Sequence, residues 1–297
     1  MRVLVTGSSG LVGSALTPVL RAAGYEVVSF DIRGNSADDI CDATALAGAL
    51  ASVDGVVHLA AVSRVVWAER EPRRCYELNQ LALASLVSEC ERLGRWIVFA
   101  SSREVYGQQS ALPVAEATPL APMNVYARSK VFGETRTLAA RATGVAANVV
   151  RLSSVYGSVF DHSDRLLPAF ARTAALGGTI RIEGSDNCFD LTHVADVARG
   201  LLAAIERTAA GVALPPIHLV TGVGTTLADL ALRAEKLARA PVVLKEYPPR
   251  TYDVARFVGD PRLAQATLGW RPEIDVAQGF AMLVADFVDA SKPRKAA

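Results

Sequence analysis

The chain has 297 residues, 51% hydrophobic and 21% charged, with a formal net charge of +1. That length is enough for a sizeable core, and the composition is that of a soluble globular protein. The charge balance leaves no electrostatic footprint for nucleic acid or an anionic membrane. The four cysteines, Cys41, Cys75, Cys90 and Cys188, show no C-x-x-C spacing. They argue against a zinc site or disulfide framework and for free thiols in a reducing cytoplasm, so no metal is expected. The opening Met1-Arg-Val-Leu-Val-Thr6 is a strand signal, without the basic start and apolar run of a signal peptide. No uncharged apolar run reaches the roughly 18 residues of a membrane span.

Up to residue 157, β-branched runs alternate with Ala/Leu-rich stretches of helical period. Strands are predicted at 2–5, 26–30, 55–59, 96–100 and 146–150, and helices at 11–23, 44–51, 72–93 and 124–143. Gly24, Gly94 and Gly144 sit where helices should stop. Apolar strands separated by helices imply an α/β fold, a Rossmann-type doubly wound parallel sheet covered on both faces.

Beyond Gly157 the pattern loosens, with Pro168, Gly177-Gly178, Pro215-Pro216 and Pro248-Pro249 punctuating shorter elements, helices near 226–239 and 276–290 among them. A smaller, loop-rich C-terminal α/β substrate lobe is expected, completing a site at the carboxyl ends of the strands. The expected division is 1–157 for dinucleotide binding, with 188–220 and 251–260 returning to it. Residues 158–187, 221–250 and 261–297 would form the lobe, with the tail 291–297 frayed.

The first strand runs into T-G-S-S-G-L-V-G, with glycines at 7, 10 and 13 and a helix behind them. Glycines there permit a tight turn and bring backbone N–H groups to a pyrophosphate, and the helix adds its positive dipole end. Gly7, Ser9, Gly10, Leu11 and Val12 are therefore predicted to hold a dinucleotide. Asp31 ends the second strand, where a carboxylate accepts ribose hydroxyls and repels a 2′-phosphate, favouring NAD over NADP. Ile32 adjoins it, and the nearby Arg33 could accept that phosphate, which weakens the preference without reversing it. Asp39 and Ile40 are candidates for the adenine, and Leu59-Ala60-Ala61 leave room for the dinucleotide. His58, in an apolar run, reads as a core histidine.

Tyr126-Ala-Arg-Ser-Lys130 opens the helix after Pro122. Positions i and i+4 share a face, so phenol and ammonium can point into one site. The cation is expected to pull the phenol below its usual value of about 10 and make it a general base. Lys130 can also reach the nicotinamide ribose. Ser101 and Ser102 follow the fourth strand and can donate to the reacting oxygen.

The ordered set resembles the extended short-chain dehydrogenase/reductase family, the NAD-dependent nucleotide-sugar epimerases and dehydratases. It comprises T-G-S-S-G-L-V-G, Asp31, H-L-A-A, S-S-R-E-V-Y-G, Y-A-R-S-K, R-L-S-S-V-Y-G, D-L-T-H-V-A-D-V-A and L-G-W-R-P, and spans nearly the whole chain. The resemblance implies that Ser102, Tyr126 and Lys130 are catalytic. It places Asn79 and Ala100 with the cofactor, and Ser63, Ser102, Arg103, Ser154 and Arg250 with the substrate. It also implies a homodimer through the helices near 72–93 and 124–143, with a nucleotide sugar as the small-molecule partner.

The expected reaction is 4-epimerisation through a 4-keto sugar. Relatives that are 4,6-dehydratases carry an acid and then a glutamate after the catalytic hydroxyl. Here Glu104 matches that base, but Arg103 stands where the acid would be and stays protonated. Glu104 could equally be paired with Arg103 or a substrate hydroxyl. Ser154 and Phe189 replace an asparagine and an arginine that hold the diphosphate in relatives. Either Arg165, Arg181 or Arg256 takes over, or the substrate is a sugar acid or polyol oxidised once by a simple dehydrogenase. A non-catalytic dinucleotide sensor is a further alternative, and it would not need the Tyr/Lys pair.

Overall fold

Strands this short and apolar must pair in the interior, and the helical connections between them force those pairings to be parallel. In chain order the elements of the computed structural model are β1 (Arg2–Thr6), α1 (Leu11–Ala22), β2 (Glu26–Phe30), α2 (Ala43–Ala51), β3 (Gly55–His58), α3 (Val65–Arg70) and α4 (Pro72–Tyr76). A π-helical turn (Glu77–Ala82), α5 (Leu83–Leu93), β4 (Trp96–Ser102), α6 (Val125–Ala139), β5 (Ala147–Leu152) and β6 (Ser154–Tyr156) follow. The remainder comprises α7 (Leu166–Leu176), β7 (Gly178–Glu183), β8 (Cys188–His193), α8 (Val194–Ala209), β9 (Ile217–Leu219), β10 (Gly224–Thr226), α9 (Leu227–Lys236), β11 (Val242–Tyr247), β12 (Arg256–Phe257), α10 (Arg262–Leu268) and α11 (Val276–Ala290). The structure describes residues 1–250 and 254–292. Most of the tail expected to fray, and part of the segment 251–260 expected to return to the first domain, lie outside the described residues.

The main sheet is six-stranded in the order β2-β1-β3-β4-β5-β9, parallel throughout. The chain steps one way from β1 to β2 and the other way to β3, so the strand order reverses between β1 and β3. In open α/β sheets the ligand crevice lies outside the carboxyl ends at such a reversal. One face is covered by α1 and α8 through Leu16, Leu20, Val197 and Leu201. The other is covered by α2 and α5 through Leu46, Leu50, Leu83 and Leu86. Each of these buried side chains stabilises the fold by roughly 1.5–3 kcal/mol.

A third core gathers Phe170, Leu230, Phe280 and Leu283 from α7, α9 and α11. Two small sheets flank it: β11 against β7, and β8 with β10, β12 and β6 as partners. This part is more regular than its punctuation suggests. Gly177 and Gly178 end α7 and start β7 rather than marking a loop. The helix expected over 72–93 runs through as helical backbone but takes a π turn at Glu77–Ala82. Such single-turn insertions leave no mark in hydrophobic periodicity.

Candidate active site

The turn after β1 is built from glycines because side chains would not fit. At Gly7 (φ +71°) an added Cβ would lie 2.7 Å from the Ala60 backbone nitrogen. Gly10 starts α1 without a side-chain cap, and the first turn carries no acidic residue. The leading N–H groups of α1, at Leu11 and Val12, therefore face the crevice free to meet an anion. Ser9 N donates to Asp31 Oδ2 at 3.0 Å and Arg33 N to Oδ1 at 2.9 Å, so the carboxylate stands beside the turn. The Arg33 guanidinium is 3.6 Å from that carboxylate, and Ile32 next to it is exposed. Leu59 N and Ala60 N both donate to Thr6 Oγ1, holding the end of β3 against the turn, with Ala61 following.

Three of the residues expected at the cofactor also have roles within the protein. Ile40 is only 5% exposed and packs with Phe30, Leu46 and Leu50, while Asp39 accepts from Cys41 N at 2.9 Å. The Ile40 side chain therefore packs behind the crevice. Asn79 is brought inward by the π turn and fully engaged within the protein. Its Oδ1 accepts from Val62 N at 2.7 Å, and its Nδ2 donates to Val62 O at 3.1 Å and Ser129 Oγ at 2.9 Å. It is a positioning residue that ties the loop after β3 to α6. His58 is a core histidine: Nδ1 is 2.8 Å from Thr6 Oγ1, the ring stacks on Phe99, and burial takes it down to about 3.

The chemical end is set by the start of α6. Asn124 Oδ1 accepts from Ala127 N and Glu69 Oε1 from Val125 N, each at 2.8 Å, so the first helical turn is capped twice. Glu69 lies on α3, a helix too short to register in the sequence pattern. Tyr126, 8% exposed, lies in that turn. Lys130, one turn on, donates from Nζ to Ala100 O at 2.8 Å, with the ammonium 5.8 Å from the Tyr126 ring centre. Ser102 ends β4, and its Oγ accepts from Glu104 N at 3.2 Å.

Burial works against the expected acidification of the phenol. Burial pushes Tyr126 up to about 12, only partly opposed by a hydrogen bond with Ser102 and by the Arg165 cation, while Glu104 pushes it further up. The ammonium is turned towards the Ala100 carbonyl, and burial lowers Lys130 itself to about 8. Ser102, Tyr126 and Lys130 nonetheless come together where β4 and α6 meet the crevice.

The remaining candidates surround this point. Glu104 Oε1 is 2.9 Å from Arg103 Nη2, and Asn124 Nδ2 donates to Oε2 at 3.2 Å. Ser63 lies in the loop after β3, beside Arg64, which is ion-paired with Asp164. That pair, with the edge contact of Trp67 on His162 at 4.5 Å, ties the 158–165 segment to the start of α3. Arg165 reaches Asp161 at 3.4 Å, Ser154 stands opposite Leu191 in β6, and Arg250 lies 3.3 Å from Glu183. The group missed in the sequence is Glu134 with Arg151, buried beneath α6 and described below. Its only sequence signal was a glutamate one helical turn beyond Lys130.

A family model, the NAD dependent epimerase/dehydratase family, matches residues 3–218. The chain belongs to the NAD-dependent epimerase/dehydratase family. A relative from Mycolicibacterium smegmatis named UDP-glucose 4-epimerase is 30% identical, over 98% of this chain and 100% of its own. Among solved structures, MoeE5 in complex with UDP-glucose and NAD superposes with a TM-score of 0.90 at 27% identity, covering 98% of this chain and 99% of that one. DesIV, a dTDP-glucose 4,6-dehydratase from Streptomyces venezuelae, superposes at 0.87 with 28% identity and 97% of both chains.

As a member of the NAD-dependent epimerase/dehydratase family the chain is an enzyme, and its cofactor is NAD. The uncapped start of α1, the side-chain-free surface at Gly7 and the Asp31 carboxylate fit a dinucleotide. Among the described residues no group of His, Cys, Asp or Glu could hold a metal ion, and no helix is long and apolar enough to cross a membrane. Among those residues the four cysteines are free thiols.

Proposed function

We propose that the enzyme is a nucleotide-sugar 4-epimerase acting on a UDP-hexose through a 4-keto intermediate. The observation that carries this reading is a buried phenol, Tyr126, whose ionisation feels the Ser102 hydroxyl and which lies one helical turn from Lys130, beside the NAD crevice. NAD, when bound, supplies the hydride acceptor that oxidises C4 and the donor that reduces it again. As the phenolate, which the Lys130 ammonium and the positive charge of bound NAD would favour against the burial that raises the phenol, Tyr126 takes the proton of the sugar 4-hydroxyl and gives it back, while Ser102 donates to the same oxygen and fixes its position. Lys130 holds positive charge near the phenol and has N–H groups left for the cofactor ribose after its bond to Ala100 O. Asp31 selects a free ribose 2′-hydroxyl and so NAD over NADP.

A dehydratase needs a carboxylate free to take the C5 proton and an acid for the C6 oxygen. Glu104 is tied to Arg103 and Asn124, and position 103 offers a guanidinium instead of an acid. Those pairings support epimerisation over elimination. Tyr76 and Leu81 on the α4–α5 segment and Phe132 on α6 are exposed apolar side chains on neighbouring helices. They support a homodimer through these helices, since exposed large apolar side chains favour a covered surface. The free thiols fit a cytoplasmic enzyme.

The deciding experiment incubates the NAD-loaded enzyme with UDP-glucose and follows sugar stereochemistry, product mass and absorbance of reduced cofactor. UDP-galactose at unchanged mass with no net NADH is expected. Loss of water from the product, or stoichiometric NADH, overturns the reading in favour of a dehydratase or a dehydrogenase.

A further inference from the structure

Directly after Ser102, the Arg103 side chain is 12% exposed and packs against two aromatic rings. Its guanidinium carbon lies 5.0 Å from the centre of Phe189 and 5.7 Å from that of Phe257, residues paired across β8 and β12. One terminal nitrogen is committed to Glu104 at 2.9 Å, and the other, Nη1, is buried without a hydrogen-bond partner. A permanently charged group with an orphaned donor is costly to bury, and nothing in the fold of β4 requires an arginine here. A guanidinium packed against aromatic rings bonds through its N–H edge, the geometry that recognises oxyanions.

We propose that Arg103 is a substrate-binding residue that donates to an anionic oxygen of the substrate, and that this oxygen belongs to the diphosphate. The assignment rests on the nucleotide-sugar reading above. In a nucleotide hexose the sugar, the base and the ribose are uncharged, so the two phosphates carry the only anionic oxygens. Phe189, where the sequence resemblance leads one to expect a phosphate-binding arginine, instead supplies a ring for the Arg103 guanidinium. The positive charge thus enters the crevice from the end of β4 rather than from β8. The Glu104 carboxylate then serves to aim the guanidinium rather than to remove a proton.

The test measures binding to the NAD-loaded protein by calorimetry, with UDP, uridine and UDP-glucuronic acid as probes, for wild type, Arg103→Met and Arg103→Lys. Arg103→Met is expected to weaken UDP by about tenfold or more, about 1.4 kcal/mol or more, and to leave uridine and NAD unchanged. Lysine should restore part of the loss. Because Arg103→Met could disturb packing, the double variant Arg103→Met with Phe189→Arg is included, and it should recover UDP affinity. Equal UDP affinity in wild type and Arg103→Met overturns the assignment, as does an equal loss for uridine. A loss confined to UDP-glucuronic acid moves the guanidinium to a sugar carboxylate and also overturns it. Wild-type protein that binds no UDP overturns the nucleotide-sugar reading first, and the assignment with it.

Discussion

Arg151 closes a bidentate ion pair on Glu134, at 2.8 and 2.7 Å, beneath the helix that carries Tyr126 and Lys130. Ser101 donates to the same carboxylate at 2.6 Å, and Arg151 also donates to the Tyr106 hydroxyl at 2.9 Å. One buried network thereby fixes α6 against β4 and β5, and with it the height of the phenol above the crevice. Glu134→Gln leaves the guanidinium buried without its countercharge, and breaking such a pair from one side costs about 3–5 kcal/mol. The urea midpoint should fall accordingly with an unchanged slope. Replacing both partners, Glu134→Leu with Arg151→Met, should cost less than Glu134→Gln alone.

Stability should decline in mild acid. Burial lowers His58 to about 3 and His218 to about 4, from an ordinary value near 6.5. Folded-state values below the unfolded one mean that the unfolded chain binds more protons between roughly pH 6.5 and 4. Stability therefore rises with pH across that window and is lost as pH falls through it, with a slope of up to about 2.7 kcal/mol per pH unit when both histidines contribute. Urea midpoints measured from pH 7 to 4 should show it, and His58→Gln should flatten the slope by up to half. An unchanged slope in that variant would remove His58 as a contributor.

Asp31 both shapes the turn and faces the ribose. Asp31→Ala should weaken NAD by about ten- to a hundredfold, the range for losing hydrogen bonds to a charged acceptor. With the carboxylate gone and Arg33 beside it, NADP should lose less than NAD or gain. Fluorescence titration with both dinucleotides checks the ratio, and equal losses for both would contradict the selective role of Asp31.

Glu104→Gln separates aiming from proton removal. A carboxylate that only orients Arg103 and Asn124 should cost less than about tenfold in turnover, whereas loss of a general base costs about a hundred- to ten-thousandfold. Steady-state rates with UDP-glucose distinguish the two.

The Rossmann half was legible because its signals are local. The glycine turn, Asp31 and the Tyr126–Lys130 spacing each act within a few residues, and each stands where the strand and helix pattern put it. The electrostatics of Tyr126 were not legible. The spacing to Lys130 was right, but the direction of the ammonium is fixed by the carbonyl of Ala100, thirty positions away in sequence. The internal partners of Asn79 were hidden for a related reason: a π turn that no periodicity marks aims its amide at Val62 and Ser129. The ring contacts of Arg103 needed β8 and β12 brought side by side, a pairing between short strands with no sequence signature of its own.

Tyr126→Phe removes one hydroxyl and little else. NAD retention, measured on the purified variant, and UDP-glucose affinity, measured by calorimetry, should stay within a few-fold of wild type, while interconversion of UDP-glucose and UDP-galactose falls by about a hundred- to ten-thousandfold. A variant that still epimerises at a rate within a few-fold of wild type would contradict the assignment of Tyr126 as the group that moves the proton of the 4-hydroxyl.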